Sequence, residues 1–226
     1  MRKLLKGILE FRRTKRADYA ARFERLALRQ SPDALFIACS DSRVAANVFA
    51  STEPGDVFVV RNVGNIIPPC GRHGQANDVS DAAAIEFSVG VLGVKDIIVC
   101  GHSGCGAMHA ICGGSMPPGA PNLAAWLRFA EPVLQRYNAG ERVKHTEDLP
   151  PHDQLSQLNV LDQLANLRTY PAVQSAVSAG RLQLHGWWFD IGRAEVLAYD
   201  DSAQRFSLLD EEFVARLTAG DSTPGW

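Results

Sequence analysis

Three short apolar segments constrain the fold of this chain more than any other feature of its sequence. They cover residues 34–38, 57–60 and 97–100, and polar or turn-forming residues bound each of them. Apolar runs of this length that alternate with helical patterns are typical of buried strands in a parallel sheet. We therefore predict an α/β fold, with a central, mostly parallel β-sheet flanked by helices.

The two ends of the chain depart from this alternation. Residues 1–30 contain no proline and a single glycine, and their apolar positions predict one or two helices. Residues 182–190, 195–199 and 205–209 look like further strands, so we expect a C-terminal antiparallel edge strand or hairpin. We accordingly divide the chain into an N-terminal helical arm (1–30) and a single α/β domain (31–226).

Charge is distributed unevenly along the chain. The net charge is -2, yet residues 1–30 hold ten Lys and Arg against three Asp and Glu. A basic helix can bind nucleic acid or anionic lipid, but no base-reading motif accompanies this one. We favour an arm that packs against an acidic surface of its own chain or of a partner subunit. No run of about 18 apolar residues is present and no secretory leader is recognisable, so we expect a cytoplasmic protein without a membrane span.

Reactive side chains follow two of the three apolar segments. Cys39, Asp41 and Arg43 come directly after the first, and His102 and Cys105 after the third. Because the carboxyl ends of parallel strands meet at one edge of a sheet, we expect these groups to lie close together. Two thiolates and one imidazole suit zinc, and three protein ligands leave one position for water. Each residue alone would more often be structural; their combination favours a catalytic zinc site.

The remaining cysteines do not belong to this cluster. An odd number of cysteines, five, argues against a disulfide framework. Cys100 lies within a predicted strand, and Cys70 and Cys112 have no obvious ligands near them in sequence. The glycine-rich turn 101–106 lacks the Lys-Ser/Thr ending of a phosphate-binding loop, so nucleotide binding is not expected.

The segments Cys39-Ser-Asp-Ser-Arg43 and Gly101-His-Ser-Gly-Cys105-Gly106 together resemble the signature pair of the β-class carbonic anhydrases. The similarity extends over most of the chain, and residues 164–171 and 184–187 resemble the bacterial branch that includes cyanate-operon and cyanobacterial enzymes. The resemblance implies reversible hydration of carbon dioxide to bicarbonate and a proton, by attack of zinc-bound hydroxide. It also implies one Zn²⁺ per chain, held by Cys39, His102 and Cys105.

The resemblance assigns roles to further residues. It implies that Asp41 orients the attacking group and that Arg43 holds Asp41 away from the metal. Phe36 stands where a bicarbonate-switched branch has tryptophan, so we expect an open site without a regulatory bicarbonate pocket. Phe87 stands where many relatives have tyrosine. The implied substrate pocket consists of Gln30, Phe58, Val63, Phe87 and Gly106.

The sequence is compatible with several oligomeric states and with more than one activity. In the family the pocket draws on two chains, which implies a homodimer or a higher homo-oligomer such as a tetramer or octamer. A related hydrolase of carbonyl sulfide or carbon disulfide would have the same scaffold. A non-catalytic zinc-stabilised scaffold protein and a thiol-based redox role for Cys39 and Cys105 are further alternatives. The Asp41–Arg43 pair argues against the scaffold, since a structural zinc site typically has a fourth Cys or His.

Overall fold

One six-stranded sheet organises the chain, in the order β2-β1-β3-β4-β5-β6. The computed structural model describes residues 1–71, 79–114 and 118–218. The first four strands are mutually parallel, and the last two are antiparallel to their neighbours. This confirms the predicted, mostly parallel sheet and its C-terminal antiparallel hairpin. The strands are β1 (Ala34–Cys39), β2 (Val57–Asn62), β3 (Asp96–His102), β4 (Gln183–Asp190), β5 (Glu195–Asp200) and β6 (Arg205–Leu208).

Helices flank this sheet, as predicted. A tight turn separates the helix Pro121–Leu127 from the helix Glu131–Asn138, and a wide turn follows the helix Val79–Phe87. Within the described residues the helices are α1 (Arg2–Glu10), α2 (Arg16–Leu26), α3 (Ala46–Phe49), α4 (Val79–Phe87), α5 (Gly106–Gly113), α6 (Pro121–Leu127), α7 (Glu131–Asn138), α8 (Pro151–Leu167), α9 (Pro171–Ser178) and α10 (Glu211–Thr218).

Strand β1 is buried along its whole length. Its side chains alternate between the two faces of the sheet. Leu35, Ile37 and Cys39 belong to the larger core, which includes α8, whereas Phe36 and Ala38 belong to a smaller core on the opposite face. A strand buried on both faces explains why its sequence is continuously apolar rather than alternating.

Helix α8 packs closely against β3 and β4. Leu155, Leu158 and Leu167 are fully buried in the larger core. A Cβ atom on Gly101 of β3 would lie 2.7 Å from Cγ2 of Val160. Only glycine fits at that position, and the close approach brings the polar side chains of α8 within reach of the loops that follow β2 and β3.

The first 26 residues form one helical arm, in which α1 continues through a single wide turn into α2. The arm is attached to the rest of its own chain through α2. Arg22 donates a hydrogen bond to the Pro54 carbonyl and forms an ion pair with Asp56. Neither α1 nor α2 contains a buried residue. None of the helices in the described ranges has the length and apolar character needed to cross a membrane.

Candidate metal centre

Three buried ligand atoms lie together at the carboxyl ends of β1 and β3. Cys39 is the last residue of β1, His102 is the last of β3, and Cys105 immediately precedes α5. The two Sγ atoms and a ring nitrogen of His102 lie within 4.8 Å of one another. Among the described residues, no other group of three or more His, Cys, Asp or Glu side chains is arranged to hold a metal ion. The fold thus brings together the three residues that the sequence predicts as ligands.

The imidazole of His102 is oriented for metal binding. Its Nδ1 lies 2.9 Å from the carbonyl oxygen of Ser103. Because a carbonyl oxygen only accepts, Nδ1 must carry the proton, and Nε2 presents a lone pair. That Nε2 atom is buried and has no hydrogen-bond partner, an arrangement that is costly in a protein interior. A metal ion would satisfy it.

The two thiols differ in acidity because each is hydrogen-bonded to the other. The hydrogen bond from Cys105 lowers the pKa of Cys39, and the same bond raises the pKa of Cys105. The backbone N–H of Gly64 also donates to Cys39 Sγ, at 3.4 Å. A divalent cation binds cysteines as thiolates, so its binding would displace protons from this pair.

This donor set fits zinc. Two thiolates and one neutral imidazole match a catalytic coordination pattern that leaves the fourth position open. The hydrogen bond from Nδ1 of His102 to a carbonyl oxygen is the outer contact that typically orients a metal-binding histidine. The burial of all three side chains agrees with a resident ion rather than an adventitious surface site.

A carboxylate held by an arginine lies beside the ligands. Asp41 Oδ1 accepts hydrogen bonds from the backbone N–H and from Nε of Arg43, at 3.0 and 2.9 Å, and its Oδ2 accepts one from Nη2, at 2.7 Å. These bonds hold the pKa of Asp41 well below its usual range, so the carboxylate is ionised. Its Oδ2 lies 4.0 Å from Nε2 of His102. The arginine therefore determines where this carboxylate stands relative to the metal position.

Two arginines fix the backbone of this segment. Arg43 Nη2 also donates to the carbonyl oxygen of Gly104, at 3.0 Å. Arg61, from β2, donates to the carbonyl oxygens of Cys39 and Asp41. The loop after β1 is thus tied both to the neighbouring strand and to the turn that carries the other two ligands.

Comparison with known proteins identifies the family to which this arrangement belongs. A family model described as carbonic anhydrase matches residues 34–196. The chain belongs to the carbonic anhydrase family. A carbonic anhydrase of Pseudomonas aeruginosa is 44% identical over 221 residues, which cover 98% of this chain and 97% of the relative. The family is that of zinc-dependent carbon dioxide hydration, so the protein is a lyase and its cofactor is zinc.

Solved structures assign the class within this family. The β-carbonic anhydrase CcaA superposes with a TM-score of 0.82 at 40% identity, covering 93% of this chain and 92% of the other. Tetrameric β-carbonic anhydrases from Sordaria macrospora give a TM-score of 0.75 at 32% identity, covering 87% and 95%. These similarities make the chain a β-class carbonic anhydrase, as the resemblance of its two motifs implied.

Two of the five predicted pocket residues lie at the metal end of the sheet of this carbonic anhydrase. Val63 directly follows Asn62, whose register partner is Cys39, and its side chain is 41% exposed. Gly106 begins α5, so its N–H has no partner within the helix. No atom lies within 4 Å of a Cβ built on Gly106. Both residues therefore face open space next to the ligands.

The other three pocket residues lie away from the metal of their own chain. Phe58 pairs with Leu35, four residues before Cys39, which places it about 13 Å away at about 3.3 Å per residue. The ring of Phe87 packs against that of Phe58, with centroids 5.9 Å apart. Gln30 is exposed and precedes the start of β1. Within one chain the structure does not bring these three residues to the ligands.

Sequence reasoning missed the part that α8 plays in this centre. Asp153 accepts a hydrogen bond from the N–H of Gly104, and Ser156 donates one to the carbonyl oxygen of His102. Asn159 donates to the carbonyl oxygen of Gly64, the residue whose N–H contacts Cys39. The spacing of these polar residues by three positions shows in sequence that they share one face of the helix, but not which backbone groups they contact.

Proposed function

We propose that this carbonic anhydrase hydrates carbon dioxide at the Cys39–His102–Cys105 centre, with Asp41 and Arg43 as the residues that control the reacting water. The observation that carries the proposal is the bidentate Asp41–Arg43 pair, whose Oδ2 stands 4.0 Å from His102 Nε2. A purely structural zinc site has no need of an ionised carboxylate held beside an open fourth position.

The roles of the residues follow from this geometry. Zinc, when bound by the three side chains, supplies the Lewis acidity that makes water a nucleophile near neutral pH. Asp41 is ionised, and only one hydrogen bond from Arg43 reaches its Oδ2. This oxygen therefore retains a lone pair with which it accepts a hydrogen bond from the reacting water and fixes its orientation. Arg43 keeps the carboxylate in this position and prevents it from becoming a ligand itself.

The pocket for carbon dioxide is built from two subunits in this proposal. Val63 and Gly106 belong to the chain that holds the metal. Gln30, Phe58 and Phe87 serve the site of a neighbouring subunit, since they lie towards the other end of their own sheet. Phe87 is 40% exposed, which agrees with a ring that a second chain covers. The smallest competent unit is therefore a homodimer.

Helix α1 is our candidate for the element that crosses to that second subunit. Its apolar residues Leu4, Leu5, Ile8 and Leu9 are between 52% and 69% exposed. An apolar face of this size on a helix is typical of a protein interface. Its positive charge complements the net negative charge of the rest of the chain. Together with the tetrameric relatives, this supports a dimer or a tetramer, and an octamer remains compatible.

We place the protein in the cytoplasm. All five cysteines lie within the described ranges and are free thiols. Free thiols persist in a reducing compartment, whereas exported proteins typically oxidise them. Fractionation of the producing cells, with a periplasmic marker as control, tests this placement.

Stopped-flow carbon dioxide hydration together with zinc stoichiometry tests the proposal. We expect the purified protein to contain one zinc per chain and to hydrate carbon dioxide. Asp41→Asn and Arg43→Ala each lower turnover by about a hundredfold, the size of effect expected when a reacting group loses its orientation. Zinc content stays at one per chain, because neither residue is a ligand. Arg193→Ala is the matched control, since its guanidinium is exposed and only loosely paired with Asp190.

Two results would contradict the proposal. Loss of zinc from Arg43→Ala would make the pair a structural support of the metal. Zinc binding without hydration of carbon dioxide, combined with turnover of carbonyl sulfide or carbon disulfide, would assign the chain a different hydrolytic substrate.

A further inference from the structure

The turn between the second and third ligands is held from two sides. Gly104 lies between His102 and Cys105, and its carbonyl oxygen accepts the bond from Arg43. Its N–H donates to Oδ1 of Asp153, at 2.7 Å. The single residue Gly104 thus joins the arginine that holds Asp41 to a carboxylate on a different element of the fold.

Asp153 is well suited to hold this turn in place. It lies in the first turn of α8, and only 7% of its surface is exposed. A hydrogen bond from a backbone N–H to a carboxylate is shorter and about twice as strong as a neutral one. Leu155 and Leu158 anchor the same end of α8 in the larger core. The carboxylate is therefore a rigid support rather than a mobile surface group.

Gly104 has a backbone conformation that transmits this support. Its φ is +61°, in the left-handed region that residues with a Cβ rarely adopt. A Cβ on this residue would lie 3.9 Å from Nη1 of Arg43. This conformation fixes the N–H of Gly104, which bonds to Asp153, relative to its carbonyl oxygen, which bonds to Arg43. The guanidinium of Arg43 lies directly beside the turn.

We propose that Asp153 is a positioning residue for the reaction, which fixes the Asp41–Arg43 pair by holding Gly104. This inference rests on the role proposed above for that pair. Without the carboxylate, the Gly104 carbonyl oxygen loses its fixed direction, and Arg43 loses its contact outside the pair. Asp41, at 4.0 Å from His102 Nε2, is then free to approach the metal position and compete with the reacting water.

His152 lies beside this carboxylate without a hydrogen bond to it. His152 Nε2 lies 3.6 Å from Oδ1 of Asp153, beyond hydrogen-bond distance, and its ring packs edge-on against that of His109. The backbone N–H of Gly104 is the hydrogen-bond donor within reach of Oδ1. Removal of the carboxylate therefore removes the hydrogen bond that holds the N–H of Gly104.

The first test substitutes the carboxylate. Asp153→Ala should lower kcat by about tenfold to a hundredfold, the range typical of a misplaced catalytic group, with zinc content unchanged. Asp153→Asn should recover most of this loss, because its amide oxygen accepts the same bond. Asp162→Ala is the matched control: it lies on the same helix, and its partner is Arg136. Thermal unfolding of all three variants identifies any that is merely misfolded.

Two further measurements separate positioning from general structural support. The visible spectrum of the cobalt-substituted protein should change in Asp153→Ala, because Asp41 enters the ligand sphere, and should stay unchanged in Asp162→Ala. In an Arg43→Ala background, Asp153→Ala should lower kcat by less than about twofold, since both substitutions break one connected unit.

The outcomes are distinct from those that test the proposed function. An Asp153→Ala variant whose kcat and cobalt spectrum both match those of the wild-type protein would overturn this inference alone. An equal loss of kcat in the wild-type and Arg43→Ala backgrounds would also overturn it. If Arg43→Ala itself were fully active, the role proposed for the pair would fail first, and the inference would fail with it.

Discussion

Helices α8 and α1 both contain regularly spaced apolar residues, yet the fold uses them in opposite ways. The apolar face of α8 lies in the larger core, and its polar residues Ser156, Asn159 and Gln163 are buried as well. The apolar side chains of α1 are more than half exposed, and none of its residues is buried. The same kind of pattern thus gives an internal support in one case and an exposed surface in the other.

The difference teaches that burial of polar groups, rather than apolar spacing, marks the helix that builds the site. Gln163 accepts a hydrogen bond from the N–H of Ile67 and donates one to Asn159. Buried polar side chains persist where each has a partner. The charged residues of α1 are exposed to solvent, so burial against a partner would stabilise only its apolar face. We expect perturbations of α8 and the metal to change the fold, and perturbations of α1 to change association.

Removal of zinc should have the largest effect on the fold. A ligand present at a thousand times its Kd stabilises the native state by about 4 kcal/mol, and chelation removes that contribution. Chemical unfolding of the zinc-loaded and chelated protein measures it. Sedimentation under the same conditions should show that the zinc-free protein still associates, because α1 contains no ligand. Complete dissociation on chelation would contradict the separation of the two regions.

Leu158→Ala should have the next largest effect. This side chain is 1% exposed in the larger core, and such a truncation costs about 2–5 kcal/mol of unfolding free energy. Urea unfolding measures the loss. Leu5→Ala makes the same chemical change on α1 and should leave the unfolding free energy of the dissociated chain within about 0.5 kcal/mol. Equal losses in the two variants would show that α1 is buried in its own chain.

Gln163→Leu should destabilise the protein by a smaller amount. The substitution leaves the N–H of Ile67 without its partner, and an unsatisfied buried group costs about 1–3 kcal/mol. Unfolding in urea at neutral pH measures this change. The exposed Gln174 on α9 provides the matched control, since Gln174→Leu removes no buried bond. A neutral result for Gln163→Leu would mean that the polar residues of α8 do not support the loop after β2.

The double substitution Leu5→Ser and Leu9→Ser should change the fold least, by about 0.5 kcal/mol or less in the dissociated chain. Its effect is on association, because it removes apolar side chains that are 53% and 52% exposed. Analytical ultracentrifugation should show a shift to smaller species. Lys6→Ser with Glu10→Ser, on the polar face of the same helix, should leave the oligomer intact. An unchanged oligomer in the leucine variant would exclude α1 as the crossing element.

The sheet and the clustering of Cys39, His102 and Cys105 were predictable because their signals are local. Cys39 and His102 each end an apolar segment whose length and composition predict a buried strand, and parallel strands bring such ends together. The leucines of α8, spaced by three residues, likewise predict a helix with a buried face. Each of these inferences uses a pattern contained within about fifteen residues.

The support given by α8 was not predictable from such patterns. Asp153, Ser156 and Asn159 bind backbone groups that lie 49, 54 and 95 residues away in sequence. Every residue other than proline has the same backbone N–H and C=O groups. The sequence therefore does not indicate which of them a given side chain will hydrogen-bond. Polar residues on a helix ordinarily indicate a solvated face, whereas here the close packing against Gly101 buries them.

The distance between Phe87 and the metal ligands of its own chain has a genetic consequence. If each site combines the ligands of one subunit with the aromatic wall of another, two differently damaged genes can complement each other. A chain with Cys105→Ala keeps its aromatic pocket residues Phe58 and Phe87. A chain with Phe87→Asp keeps its three metal-binding side chains. A mixed dimer of the two contains one complete site, although neither parent homodimer contains any. Co-expression of two inactive alleles should therefore restore growth that depends on carbon dioxide hydration.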